Sequence, residues 1–125
     1  MTEVSSYFIQ PDSSIREAIQ VIDRGAAQVA LIVGSENLLL GVLTDGDIRR
    51  AILKGISLED SASSIMTTTP HHVTYGASKN EALDLMRKKM VHHVPVVDKK
   101  MRIIDIFVLD NLIKKMNSSF KLSNY

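Results

Sequence analysis

The residues with chemistry to offer lie in the run Gly41-Val42-Leu43-Thr44-Asp45-Gly46-Asp47-Ile48-Arg49-Arg50. An apolar stretch ends at Leu43, and Ile48, Ala51 and Ile52 then recur at three and four residues, so the run reads as strand, tight turn, helix. Thr44 falls at the turn and Asp47 in the first helical turn. The free N–H groups of a helix N-terminus favour an anion such as phosphate. A carboxylate beside them can accept two hydrogen bonds from a ribose diol. The same residues have a plainer reading: Thr-x-x-Asp ahead of an apolar-periodic segment is close to a capping box, which only finishes a helix. Taken alone, Thr44 and Asp47 favour the cap.

The context that moves this balance is an internal repeat. Sliding the chain against itself by 64 positions gives an ungapped match. Ser14, Glu17 and Ala18 fall on Ser78, Glu81 and Ala82, and Val29 to Val33 fall on His93 to Val97. Leu39 to Leu43 fall on Ile103 to Phe107, and Ile48 on Leu112. Two motifs mark the repeats: Gly-h-h-Thr-x-x-Asp-Ile at Gly41 to Ile48 (h, apolar) and His-His-Val-Pro-Val-Val-Asp at His92 to Asp98. With both in these places, the chain from about Ser6 to Met116 resembles the paired CBS domains, or Bateman modules. The run Thr44 to Gly55 further resembles CBS pairs joined to sugar-nucleotide pyrophosphorylases (nucleotidyltransferases) of bacterial surface-polysaccharide synthesis. A similar run occurs in CBS pairs of arabinose-phosphate isomerases.

The elements that must position these residues follow from patterning. Tyr7-Phe8-Ile9 is a short strand stopped by Pro11, and Asp12-Ser13-Ser14 offers N-caps for a helix carrying Ile15, Ala18, Ile19 and Ile22, ended by Gly25. Val29 to Val33 is a buried strand, Gly34 to Asn37 a hairpin turn, Leu38 to Leu43 the return, and Asp45 to Lys54 the second helix. The second half repeats this order with a strand at His72 to Thr74, a helix capped by Ser78, strands at His93 to Val97 and Arg102 to Val108, and a helix from Asp110 to Asn117. Between them, Ser57 to Ser64 is a polar linker with one helical turn near Ser64 to Met66, and Ile56, Leu58, Ile65 and Met66 read as anchors that pin it.

The fold expected is α+β: tandem CBS repeats, each strand-helix-strand-strand-helix, packed as an intramolecular pseudo-two-fold pair. The first repeat is placed at 1–60 and the second at 61–117, with 118–125 a tail or a linker to a missing domain. A repeat of about 60 residues buries too little surface to stand alone, so the two must share a core.

Composition narrows the function classes. The 125 residues are 45% hydrophobic, which is ordinary for a globular chain. Fifteen Lys and Arg against fourteen Asp and Glu leave no strong field to draw nucleic acid or acidic lipid. There is no cysteine, which suits the cytoplasm, and Met1 to Ser14 lacks the pattern of a signal peptide. The apolar runs are far short of a membrane span. No Ser-His-Asp set, H-E-x-x-H or Gly-rich phosphate loop is present, so no catalysis is expected. His71-His72 and His92-His93 do not suggest a metal, because neighbours on a strand face opposite ways and no thiolate supports them. Arg49 and Arg50 read as a solvated face, with phosphate contact the minor alternative.

The CBS resemblance implies a nucleotide in the cleft between the repeats: AMP, ADP or ATP, or else a cytidine or sugar nucleotide. Thr44 and Asp47 would hold ribose and phosphate. Phe8, Ile9, Gln10, Ala30 and Leu31 would sandwich the base, and His92 or His93 would reach across as a cation that depends on pH. The repeats are unequal as sites, since Val108 replaces Thr44, Asn111 replaces Asp47, and Asp105 replaces Gly41. Gly41 reads as room for the ligand and Asp105 as a repulsive charge, so one competent site is expected. The implied partners are a second copy, as a homodimer, and a nucleotidyltransferase domain. The rival expectation is a dimerisation scaffold with no ligand.

Overall fold

The computed structural model describes residues 3–25 and 27–114. Apolar alternation and caps build its elements where expected. Strand β1 (Phe8–Ile9) is followed by helix α1 (Ile15–Arg24), whose first turn is closed by Ser14 Oγ accepting from Glu17 N–H at 3.1 Å. β2 (Val29–Val33) and β3 (Leu39–Thr44) flank a hairpin in which Glu36 and Asn37 take positive φ, and α2 (Asp45–Leu53) completes the first repeat. β4 (Val73–Thr74), α3 (Lys79–Lys89), β5 (His93–Val97) and β6 (Ile103–Val108) follow, and residues 109–114 are helical (α4). Ser78 caps α3 with the same 3.1 Å bond, to Glu81 N–H. The expected continuation of α4 to Asn117 and the tail at 118–125 lie outside the described residues.

Each repeat forms a three-stranded sheet, β1-β2-β3 and β4-β5-β6, with the first pair parallel and the second antiparallel. The repeat extends to an irregularity: the ladder shifts at Ile32/Val33 in one sheet and at Val96/Val97 in the other. The sheets meet on one shared core. Val29, Leu31, Val33, Leu39 and Val42 pack there with Val97, Ile103 and Val108. The opposite face of the first sheet buries Ala30, Ile32 and Leu43 under Ile15, Ala18, Ile22 and Ile48, and the second sheet does the same with Val94 under Ala82, Met86 and Leu112. The architecture is the expected α+β pair of repeats.

The linker is tied down. Its helical turn sits at Ala62–Ser64, slightly earlier than the spacing suggested. Leu58 and Asp60 carbonyls accept from Arg16 and Ile15 N–H at 3.0 and 2.9 Å, and Ala62 N–H donates to Ser13 at 2.7 Å. Ile56, Leu58, Ile65 and Met66 pack on the helix-side core of the first repeat. Thr67 then adds a rung to β3, exchanging bonds of 3.1 and 2.9 Å with Val42.

Candidate functional site

Thr44 ends β3 and is the N-cap of α2. Its Oγ1 accepts from Asp47 N–H at 3.4 Å, while Asp47 Oδ2 accepts from the Thr44 N–H at 2.9 Å and from its hydroxyl at 3.0 Å. The capping box is therefore complete. Asp47 Oδ1 also accepts from Arg50 at 2.7 Å, and its side chain is 16% exposed. Arg49 pairs with Asp45 at 2.9 Å, so both arginines of the helix are directed along it.

The strand register brings the two repeats together at this end of the sheets. Thr44 stands opposite Val29, and His93, the first residue of β5, opposite Val108. Between them lies a cleft of about 260 Å³ lined by Gln28, Thr44, Asp45 and Gly46 from one repeat and by Met90, His92 and His93 from the other. His93 is only 2% exposed, and its Nε2 is buried with no hydrogen-bond partner. The His71 ring lies 5.2 Å from the His93 ring, and His71 Nε2–H donates to the His93 carbonyl at 3.2 Å. Burial pushes the His93 imidazole down to about 4, helped by His71 and His92 and opposed by Asp47. His93 is thus neutral near pH 7, and the conditional cation expected there does not form. His92 is exposed at the mouth.

Not every expected site residue shares this cleft. Thr44 and His93 line it, and Asp47 sits one turn into the helix behind Thr44. Phe8, Ile9 and Gln10 line a different hollow, of about 390 Å³, together with Gln20, Arg24 and Asn37. The cause is register: β1 runs parallel to β2 with Phe8 opposite Leu31, which carries Gln10 toward the Val33 end. Thr44 pairs at the Val29 end, about 13 Å away along the strand at about 3.3 Å per residue. Ala30 and Leu31 are fully buried, Ala30 under the helices and Leu31 in the shared core, so their side chains are committed to packing. Gln28, Asp45, Gly46 and Met90 were missed. Gln28 and His92 hold the same place in the repeat, which was the available signal.

The asymmetry of the repeats has a different cause from the one expected. A Cβ on Gly41 would stand 2.6 Å from Met66 Sδ and 2.8 Å from the Thr67 carbonyl oxygen, so this glycine makes room for the linker rather than for a ligand. Asp105 is exposed and three residues from Val108, hence on the opposite face of β6. It faces away from the second cleft. The pseudo-two-fold equivalents of Thr44 and His93 are Val108 and Val29, and both are buried in the shared apolar core. Hydrophobic packing, not charge, occupies the second position.

The CBS domain family model matches residues 1–54 and 62–118. The chain belongs to the CBS domain family. As a CBS pair it is 36% identical over 105 residues to an uncharacterized protein of Rickettsia prowazekii, covering 84% of this chain and 32% of that one. It is 32% identical over 108 residues to an arabinose 5-phosphate isomerase of Francisella tularensis, covering 85% and 32%. The chain therefore spans about a third of the length of these relatives. Its fold matches the structure of an acetoin utilization protein (AcuB) from Vibrio cholerae, with a TM-score of 0.83 at 19% identity over 100% of this chain and 93% of that one. It also matches a CBS domain protein from Pyrobaculum aerophilum complexed with AMP, with a TM-score of 0.76 at 20% identity over 94% and 91%. Among the described residues of this CBS pair, no group of three or more His, Asp or Glu is placed to hold a metal ion, and no helix is long and apolar enough to cross a membrane.

Proposed function

We propose that this CBS pair is a regulatory module that binds an adenine nucleotide between its repeats and controls an attached or partner enzyme. The observation that carries the reading is the cleft where the Thr44 cap and the α2 N-terminus meet the buried, unpartnered His93 Nε2. A buried polar atom left unsatisfied costs about 1–3 kcal/mol, so a ligand that engages it gains correspondingly. In this reading the Thr44 hydroxyl and the first N–H groups of α2 receive phosphate. Asp47 exchanges Arg50 for the ribose diol, and the neutral His93 ring meets the base. The cleft, about 260 Å³, lies just below the usual range for ligand sites, which favours a nucleoside monophosphate over a longer polyphosphate. The AMP complex of the Pyrobaculum relative supports the same choice.

The enzyme controlled is one of sugar-phosphate or sugar-nucleotide metabolism. The Francisella isomerase supports the former, and the run Thr44 to Gly55 supports a nucleotidyltransferase. A ligand that bridges both repeats favours one arrangement of them and so shifts the population of the enzyme they contact. The module acts as a cytoplasmic homodimer, in keeping with its lack of cysteine and its exposed apolar helix faces.

Calorimetric titration with AMP tests the site. One AMP should bind per chain, and Asp47→Ala should weaken binding at least tenfold while the fold is retained; undiminished affinity would refute the assignment. The closed capping box favours a second reading, a scaffold without ligand, in which Asp47→Ala only costs about 1 kcal/mol of stability. Thermal shift separates the two. AMP at 100 times its dissociation constant should stabilise the protein by about 2.7 kcal/mol, and the scaffold should show no shift with any nucleotide.

A further inference from the structure

The hollow of about 390 Å³ beside β1 shares no lining residue with the Thr44 cleft. Its volume falls in the range of small-molecule sites, about 300–1,000 Å³. One wall is a stripe of α1: Glu17, Gln20, Val21 and Arg24 recur at three and four residues, next to the stripe of Ile15, Ala18 and Ile22 that the sheet buries. Val21, Ile9 and Val33 are buried and make an apolar floor. The rim is polar, with Gln10 and Ser13 ahead of the helix and Asn37 on the hairpin. This frame is held from behind. Ser13 Oγ accepts from Gln10 N–H at 3.2 Å, and the Ser13 carbonyl accepts from Ala62 N–H of the linker at 2.7 Å. Arg24 Nε–H donates to the Gln20 carbonyl at 3.2 Å, and among the described residues neither Arg24 nor Glu17 forms an ion pair. The second repeat fills the equivalent place differently. Asp98 stands for Gly34, and its carboxylate is taken up by Lys100 N–H at 2.9 Å and by Arg102 N–H and Nε–H at 2.9 and 2.7 Å. Met101 stands for Asn37 and packs on the shared core, and Ala77 stands for Ser13.

We propose that this hollow is a second ligand site, for a monosaccharide phosphate. Sugar hydroxyls both donate and accept hydrogen bonds, and so do the carboxamides of Gln10, Gln20 and Asn37 and the hydroxyl of Ser13. The Glu17 carboxylate accepts from a diol, and the apolar floor takes the C–H face of the ring. A guanidinium matches the two oxygens of a phosphate, which gives Arg24 its role. Glu17 and Arg24 are seven residues apart on the helix, about 10 Å at about 1.5 Å per residue. The two charges therefore orient the ligand: phosphate at Arg24, hydroxyls toward Gln10, Glu17 and Asn37. A zwitterion would use both charges but leave three carboxamides without a task. The site does not rest on nucleotide binding, and a molecule held there meets only the first repeat.

Amide chemical shifts of the labelled chain test this, with ribose 5-phosphate and glucose 6-phosphate as probes. Ribose, glucose, inorganic phosphate and the zwitterion glycylglycine are the comparisons. At least one sugar phosphate should move the resonances of Gln10, Glu17 to Arg24 and Asn37 in a saturable way, and leave those of Thr44 and His93 in place. No shift at the hollow with either sugar phosphate would overturn the proposal. Inorganic phosphate binding as tightly as the sugar phosphates would reduce the site to an anion contact and overturn the sugar assignment, and tighter binding of glycylglycine would do the same. Arg24 and Gln20 are exposed, so their substitution spares the core. Arg24→Gln should weaken the sugar phosphate by roughly tenfold and bring it to the level of the bare sugar. Gln20→Ala should weaken sugar and sugar phosphate alike. Unchanged affinity in both variants would refute the site. Saturating AMP should displace nothing from the hollow, and failure of AMP to bind would leave every one of these readouts as stated.

Discussion

Val29 and His93 hold the same place in their sheets, each opening the middle strand and each facing the residue before the last helix of its repeat: Thr44 for one, Val108 for the other. The backbones agree down to the ladder shift, yet the polar members are crossed. The first repeat supplies Thr44 and the second supplies His93, and the two meet in one cleft, while Val29 and Val108 meet in the core. Duplication thus yields two equivalent positions, and one exchange of Val for a polar residue in each repeat is enough to make a single cleft polar and the other solid. The same division appears outside, where Asp23 and Arg87 oppose in sign at equivalent places. Equivalence of backbone is set by apolar spacing and caps, which tolerate any polar identity at the exposed or cleft positions.

The largest effect that separates the repeats is a pH response. His93 titrates near 6.5 when unfolded and at about 4 when folded. Between these values the unfolded chain binds the proton and the folded chain does not, so stability is intact above about pH 6.5 and falls as pH drops toward 4. The loss approaches about 3 kcal/mol, and His71, lowered by burial as well, adds in the same direction. Urea unfolding from pH 7.5 to 4 should show this slope, and His93→Val should remove most of it, since the equivalent Val29 has none. A slope unchanged in that variant would place the titration elsewhere.

A smaller contrast lies on the helix side of the sheets. Gly41→Val should destabilise by about 2 kcal/mol, because Met66 and the Thr67 backbone occupy the space its side chain needs. Asp105→Val, at the equivalent exposed position, should change stability by about 0.5 kcal/mol or less. Equal costs at the two sites would mean that the linker does not pack as described. The smallest effect concerns the solid cleft. Val108→Thr buries a hydroxyl in the shared core, so it should cost about 1 kcal/mol and leave the AMP stoichiometry at one per chain. A second equivalent of AMP bound by this variant would show that the position is a latent site.

Local signals carried most of the fold. Ser14 and Ser78 precede apolar-periodic runs and cap them, and the all-apolar runs at Val29 to Val33 and around Val94 to Val97 are buried strands for the same reason. What the pattern left open depends on contacts between distant residues. Gly41 looks like any glycine beside a motif until Met66 and Thr67 are laid against it. His93 reads as an available cation, yet its position at the start of a fully buried strand decides otherwise. Phe8, Ile9 and Gln10 belong to the same sheet as Thr44, but only the strand register shows that they stand at its other end. Asp105 was misjudged because a residue matched in sequence need not face the cleft.

The rung that Thr67 adds to β3 also bears on synthesis. A nascent chain emerges N-terminus first, and domains tend to fold as they leave the ribosome. Here β3 keeps an unpaired edge, and the space over Gly41 stays empty, until Met66 and Thr67 have emerged. The first repeat therefore cannot be finished from its own residues. Its completion waits on the start of the second, which keeps a half-made chain from settling as an independent unit and leaves its exposed strand edge open to capture by other nascent chains for only that interval.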